Sequence, residues 1–76
     1  MATHDFELTR EFIELDSLLK LLGIAPSGGA AKMMVAEGLV EVNGEIESRK
    51  TRKLRPGDKV RVAGERIHIH APGHTA

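Results

Sequence analysis

A chain of 76 residues, 41% hydrophobic and 29% charged, reads as one globular domain, too short for two cores and too apolar to be disordered. It contains no cysteine, which excludes a disulfide framework or a thiolate zinc site and leaves packing to hold the fold. Eleven Lys and Arg against eleven Asp and Glu give a formal charge of zero, a sum that argues against a polyanionic partner until position is considered.

In chain order, the first segment is acidic. Residues 1–19 carry Asp5, Glu7, Glu11, Glu14 and Asp16 against Arg10 alone, a net −4. Phe6, Leu8, Phe12 and Ile13 fit either a short strand or an ordered arm, so residues 5–13 stay open between the two. Leu15, Leu18, Leu19 and Leu22 then follow the spacing of an amphipathic helix, with Asp16 or Ser17 as its cap and Gly23 in the left-handed position beyond its end. Ala25-Pro26-Ser27 connects it to a second helix capped by Ser27, with Ala30, Ala31, Met34 and Val35 on one face and Gly38 as the stop. So short a connection makes the helices a compact pair.

Beyond Gly38 the apolar period changes to two. Val40 and Val42 alternate with Glu41, and Asn43-Gly44 is a strong type I′ hairpin signal. A strict two-residue turn puts Ile46 on the face of Glu41, so either a bulge follows or the register is looser than the dipeptide implies. Residues 20–47 hold Lys20 and Lys32 against Glu37, Glu41, Glu45 and Glu47, a net −2.

The next block reverses the sign. Arg49, Lys50, Arg52, Lys53, Arg55, Lys59, Arg61 and Arg66 stand against Asp58 and Glu65, a net +6 over residues 48–66. Five of those cations fall within residues 49–55, where mutual repulsion opposes folding unless an anion or the chain's own glutamates offset it. Pro56-Gly57-Asp58 forms a turn, Val60 and Val62 point away from Lys59 and Arg61, and Gly64-Glu65 turns the chain again. Ile67 and Ile69 alternate with His68 and His70, and residues 71–76 are expected to fray as a flexible tail. The order is α-α-β-β-β with an optional strand in front, and there is no internal repeat. Apolar runs are short, as in Leu21 to Pro26 with Gly23 inside, so no membrane span or signal core is present and a cytoplasmic protein is expected.

The chemistry-bearing groups favour binding over catalysis. Ser27-Gly28-Gly29-Ala30-Ala31-Lys32 places a hydroxyl, two glycines and a lysine at a helix start, where free N–H groups favour a phosphate. Small residues for close helix packing explain the same pattern. The nucleotide-triphosphate loop spacing is absent. The second helix offers base edges only Lys32, which argues against DNA sequence reading. An aromatic content of 3%, Phe6 and Phe12, removes the stacking platforms of single-strand binders. His68 and His70 share a strand face and His74 follows, yet no acidic or cysteine ligand stands beside them, so no metal and no cofactor are expected. Ser17, Ser27 and Ser48 have no histidine near them in sequence, so an enzyme is not expected.

Leu15-Asp16-x-x-Leu-Leu, then Ser27-x-x-x-Ala31-Lys32-x-Met34-Val35-x-x-Gly38-x-Val40-x-Val42-Asn43-Gly44, then Pro56-Gly57-Asp58-x-Val60 resemble the RNA-binding domain named after small-subunit ribosomal protein S-four, the alpha-L RNA-binding motif. The resemblance covers about residues 13–62. It implies an α+β fold, two packed helices on a small bent antiparallel β-region, and the free-standing bacterial version of a domain that is usually an accessory to larger proteins. It implies RNA held across the helix pair and the basic strand. Two positions depart from it: the arginine usual after the cap serine is Gly28, and the arginine that often opens the first helix is replaced by Glu14 next to Leu15.

The resulting expectation is non-catalytic binding of structured RNA, ribosomal or transfer RNA, by a monomer. The expected contacts are Ser27, Gly28, Gly29 and Lys32 at the helix start, with Arg49, Lys50, Arg52, Lys53, Arg55, Lys59 and Arg61 from the basic block; the cluster from Arg49 to Arg55 is expected to compensate for the two missing arginines. The rival expectation is a protein-interaction or self-association module in which the acidic arm and the basic strand dock head to tail.

Overall fold

The computed structural model describes residues 2–73. Nine elements follow in order: β1 (Ala2–Glu7), β2 (Ile13–Glu14), α1 (Leu15–Leu21), α2 (Gly28–Ala36), β3 (Val40–Val42), β4 (Glu45–Ile46), β5 (Lys53–Leu54), β6 (Lys59–Val62) and β7 (Glu65–His70). Among them the α+β class and the packed helix pair appear as expected.

Both helices end where glycine permits a left-handed residue: Gly23 and Gly38 each have φ of 75°, and a side chain there would be strained. The start of α2 is as expected, with Ser27 Oγ accepting the Ala30 N–H at 3.1 Å. The start of α1 is not. Its cap is Glu14, with no side-chain hydrogen bond, and Asp16 instead accepts the Ser17 N–H at 2.8 Å. The Leu15 and Asp16 N–H groups, which a cap side chain would otherwise serve, donate to the Arg52 and Lys50 carbonyls at 2.9 and 3.0 Å. A distant loop therefore caps this helix, and no local signal reports it.

Five strands form one sheet in the order β1-β7-β6-β3-β4. Its β3–β4, β3–β6 and β6–β7 pairs are antiparallel, but β1 lies parallel to β7 with Ala2 opposite Glu65 and Glu7 opposite His70. The sheet is thus mixed rather than wholly antiparallel, because the segment left open in front of the helices is a strand that takes the outer edge of β7. Residues 13–14 form β2, which pairs with β5 in a separate two-stranded sheet. The Asn43-Gly44 turn is strict: Glu41 faces Ile46 and Val42 faces Glu45 with no bulge, and both turn residues have positive φ as type I′ requires. Ile46 accordingly lies on the face of Glu41, exposed.

The core forms where the inward residues of the strands meet the helices. Val40, Val42, Val60, Val62, Ile67 and Ile69 are buried against Leu15, Leu18 and Leu19 of α1 and Ala31 and Val35 of α2, with Leu8, Ile13, Ala25 and Leu54 closing the edges. Leu22, Ala30 and Met34 cover it only partly. The outward residues of the same strands are polar, charged or histidine, which is the alternation a one-sided sheet demands. At the expected flexible tail, residues 71–76, the Gly73 N–H donates to Glu7 Oε2 at 2.7 Å. The rest of that tail, and His74, lie outside the described residues.

Candidate nucleic-acid interface

The residues expected at the site fall into three places. Ser27, Gly28, Gly29 and Lys32 lie at the start of α2, which follows the C-terminal end of α1. Arg49, Lys50, Arg52, Lys53 and Arg55 lie in the loop held to the N-terminal end of α1 and in β5. Lys59 and Arg61 lie on β6, on the sheet face away from the core. The basic stretch that was expected to be a strand is mostly an irregular loop, since only Lys53 and Leu54 pair with β2. Density of like charge disfavours a longer ladder here, while a loop lets the cations diverge.

The loop is organised by an anion the charge sum concealed. Glu47 is 6% exposed, its N–H donating to the Val40 carbonyl at 2.9 Å. The strict turn puts Glu45 and Glu47 on the inward face, so the sequence signal was the hairpin register itself. Arg49 Nε donates to Glu47 Oε2 at 3.1 Å, the Arg49 backbone N–H to the same oxygen at 2.9 Å, and Arg52 Nη1 to Oε1 at 2.7 Å. Hydrogen bonds from Arg49 lead the effect and those from Arg52 add to it. Together they outweigh the burial that opposes ionisation and hold the Glu47 carboxyl down at about 2. The pairing likewise raises the Arg49 guanidinium above its usual value. Glu47 therefore neutralises part of the cluster and fixes the course of the rest.

Phe12 was the second residue missed. Lys53 Nζ stands 5.0 Å and the Arg55 guanidinium 5.8 Å from its ring centroid, so the ring face holds two cations at the loop's edge. Asp58 fixes the end of the segment: its carboxylate accepts the Arg55 N–H at 2.8 Å and the Asn43 Nδ2–H at 3.0 Å, while Asn43 Oδ1 accepts the Lys59 N–H at 3.0 Å. Arg49 remains mostly exposed despite its pairing, with 71% of its side-chain surface accessible against 28% for Arg52. Arg49, Thr51, Arg52 and Lys53 line a shallow depression of about 360 Å³. Arg52 is thus mainly a strut, and the loop offers Arg49, Lys50, Lys53 and Arg55 to solvent.

At the start of α2, close packing does not require the glycines. A Cβ on Gly28 would meet nothing within 4 Å, and one on Gly29 only the Ser27 Oγ at 3.9 Å. His70 Nε2 pairs with Asp5 Oδ1 at 2.8 Å and His4 Nε2 with Glu65 Oε1 at 2.9 Å, so these histidines serve the β1–β7 junction. Among the described residues, no helix is long and apolar enough to cross a membrane.

Two packed helices on a small β-region are the architecture expected from the resemblance, and the S4 domain model matches residues 6–70. The chain belongs to the S4 domain family. It is similar to the Escherichia coli (strain K12) protein YbcJ, 44% identical over 59 residues that cover 78% of this chain and 84% of YbcJ. The solution structure of YbcJ, described as revealing an alpha-L motif involved in RNA binding, superposes with a TM-score of 0.65 at 41% identity, covering 93% of this chain and 89% of that one. A Bacillus subtilis (strain 168) protein, RlbA, named as a probable ribosome maturation protein, is 44% identical over 54 residues, covering 71% of this chain and 76% of RlbA.

Proposed function

We propose that this chain binds structured RNA, ribosomal or transfer RNA, without catalysing a reaction, as a monomer in the cytoplasm. The observation that carries the reading is the Glu47-anchored loop: four exposed cations are presented beside α1 by a buried carboxylate that keeps the backbone in place. A surface of fixed cations without aromatic platforms suits phosphate geometry in a folded RNA. Arg49, Lys50, Lys53 and Arg55 meet phosphates, Arg52 holds the loop, and Lys32 with the Ser27-Gly28-Gly29 start adds a contact at the far end of α1. The family, the RNA-binding description of the YbcJ structure and the ribosome-maturation name of RlbA all support this reading.

The test is affinity for purified ribosomal RNA and bulk transfer RNA as salt is raised. Three to five phosphate contacts give a slope of log K against log salt of roughly −2 to −4. Lys53→Gln with Arg55→Gln flattens it by about 1.5. A salt-independent affinity, or an unchanged slope in that variant, refutes the loop as the contact surface. The rival docking of an acidic arm on a second copy has less to draw on, because Asp5 and Glu7 are engaged by His70 and Gly73 within the chain.

A further inference from the structure

The loop and the helix start leave one strongly charged surface unused. On the sheet face away from the core, β6 presents Lys59 and Arg61 and β7 presents Arg66 and His68, and these four with Glu41 and Gly44 line a depression of about 300 Å³. In the register Arg61 stands directly opposite Arg66, and Lys59 opposite His68. Like charges directly opposite one another across an antiparallel pair destabilise a sheet. Neither arginine makes an ion pair within 4.0 Å among the described residues, even though Glu41 is the neighbour of Arg61 on β3. The contrast with Arg49 and Arg52 is direct: there a buried glutamate balances two guanidiniums, whereas here two arginines stand opposite one another in the register with no carboxylate within 4.0 Å among the described residues. An arrangement that opposes folding and faces solvent is accounted for by an external anion.

We propose that this face is a second phosphate-binding surface that takes a different RNA segment from the one held by the loop. The reading rests on the RNA-binding function proposed above and goes beyond it in making the domain bivalent. Charge complementarity commits the occupant to a phosphate backbone: the depression presents three permanent cations and one carboxylate, and no Phe, Tyr or Trp side chain to stack a base. The sheet stands between this face and the helices, and the whole domain measures 34 × 24 × 21 Å. A straight duplex lying on one surface does not reach round to the other, so two segments, or two arms of one folded RNA, are needed to engage both.

The experiment uses the full chain and short RNA hairpins of about one helical turn carrying either of two fluorophores. Wild-type protein brings both colours into one complex at low salt. Arg61→Gln with Arg66→Gln weakens the second binding event by about 15- to 30-fold at about 0.15 M salt, since each phosphate contact contributes about four- to five-fold there. Lys53→Gln with Arg55→Gln weakens the first event and spares the second. Thermal unfolding guards against a folding defect: relief of the opposed pair leaves the melting temperature of the Arg61/Arg66 variant at or above that of the wild type. One hairpin per protein, unchanged by the sheet variant and lost in the loop variant, overturns the second surface while the loop reading stands. Loss of all binding in the sheet variant, with no loss in the loop variant, refutes the loop reading and leaves one surface instead of two, which overturns the bivalent domain. An RNA-free dimer that the sheet variant converts to monomer assigns the face to a second copy and overturns the proposal, as does a lower melting temperature.

Discussion

Replacing Glu47 by Gln keeps the shape of the side chain and removes its charge, so it isolates what the anion does for the loop. The folded carboxyl lies at about 2 against an ordinary 4.5, which corresponds to at most about 3 kcal/mol of stabilisation at neutral pH. Arg49 is largely exposed, and solvent screening reduces that figure to about 1–2 kcal/mol. A domain of this size loses roughly 4–8 °C of melting temperature per kcal/mol, so Glu47→Gln melts about 5–15 °C lower at pH 7. The sign with pH follows from the depressed value. Between 4.5 and about 2 the unfolded chain binds a proton that the folded chain does not. The contribution is therefore complete above 4.5 and is lost as pH falls through that interval. Melting curves followed by circular dichroism at pH 7 and near pH 2 should show a wide gap between wild type and variant that narrows on acidification. Equal melting temperatures at pH 7, or a gap that persists undiminished near pH 2, refute the assignment of Glu47 as the ionised anchor of the loop.

Other substitutions test other parts of the argument. Asn43→Ala removes the bonds to Asp58 and Lys59 and leaves a non-glycine residue at φ 54°; a loss of about 2 kcal/mol in urea unfolding is expected. Leu18→Ala, at a fully buried position between the helices and the sheet, should cost about 2–5 kcal/mol by the same assay. Gly28→Arg restores the arginine that the S4 resemblance places after the cap serine, in open space. It should keep the fold and raise RNA affinity about four- to five-fold at about 0.15 M salt, measured by filter binding; an unchanged affinity removes the start of α2 from the interface.

The helix pair, the hairpin and the later strands were legible because each rests on local rules: 3.6-residue spacing in Leu15 to Leu22, glycine at the two positive-φ stops, and alternation in Val60, Val62, Ile67 and Ile69. What was not legible depends on partners far away in sequence. β1 reads weakly by itself and becomes a strand because β7 supplies a ladder. The cap of α1 comes from the carbonyls of Lys50 and Arg52, which no capping side chain announces. Of the candidate site, the basic block was plain, but its inner structure was not. Glu47 was counted with the acidic middle of the chain, although the register of Asn43-Gly44 already turned it inward beside its arginines. Phe12 was set aside as too little aromatic surface for a base, and serves instead as the floor for Lys53 and Arg55.

The parallel pairing of β1 with β7 also bears on how the chain reaches this fold. Helices, the Asn43-Gly44 hairpin and the β6–β7 hairpin close over short loops and can form early, whereas β1 must wait for residues more than sixty positions ahead. Closing so long a loop is an entropic cost met before any contact is gained. As the polypeptide is synthesised, Ala2–Glu7 emerges early with no edge to join, its acidic side chains keeping it in water until β7 exists. Of the strands in this sheet, β1 cannot pair until β7 has been made, and the sheet is sealed only then.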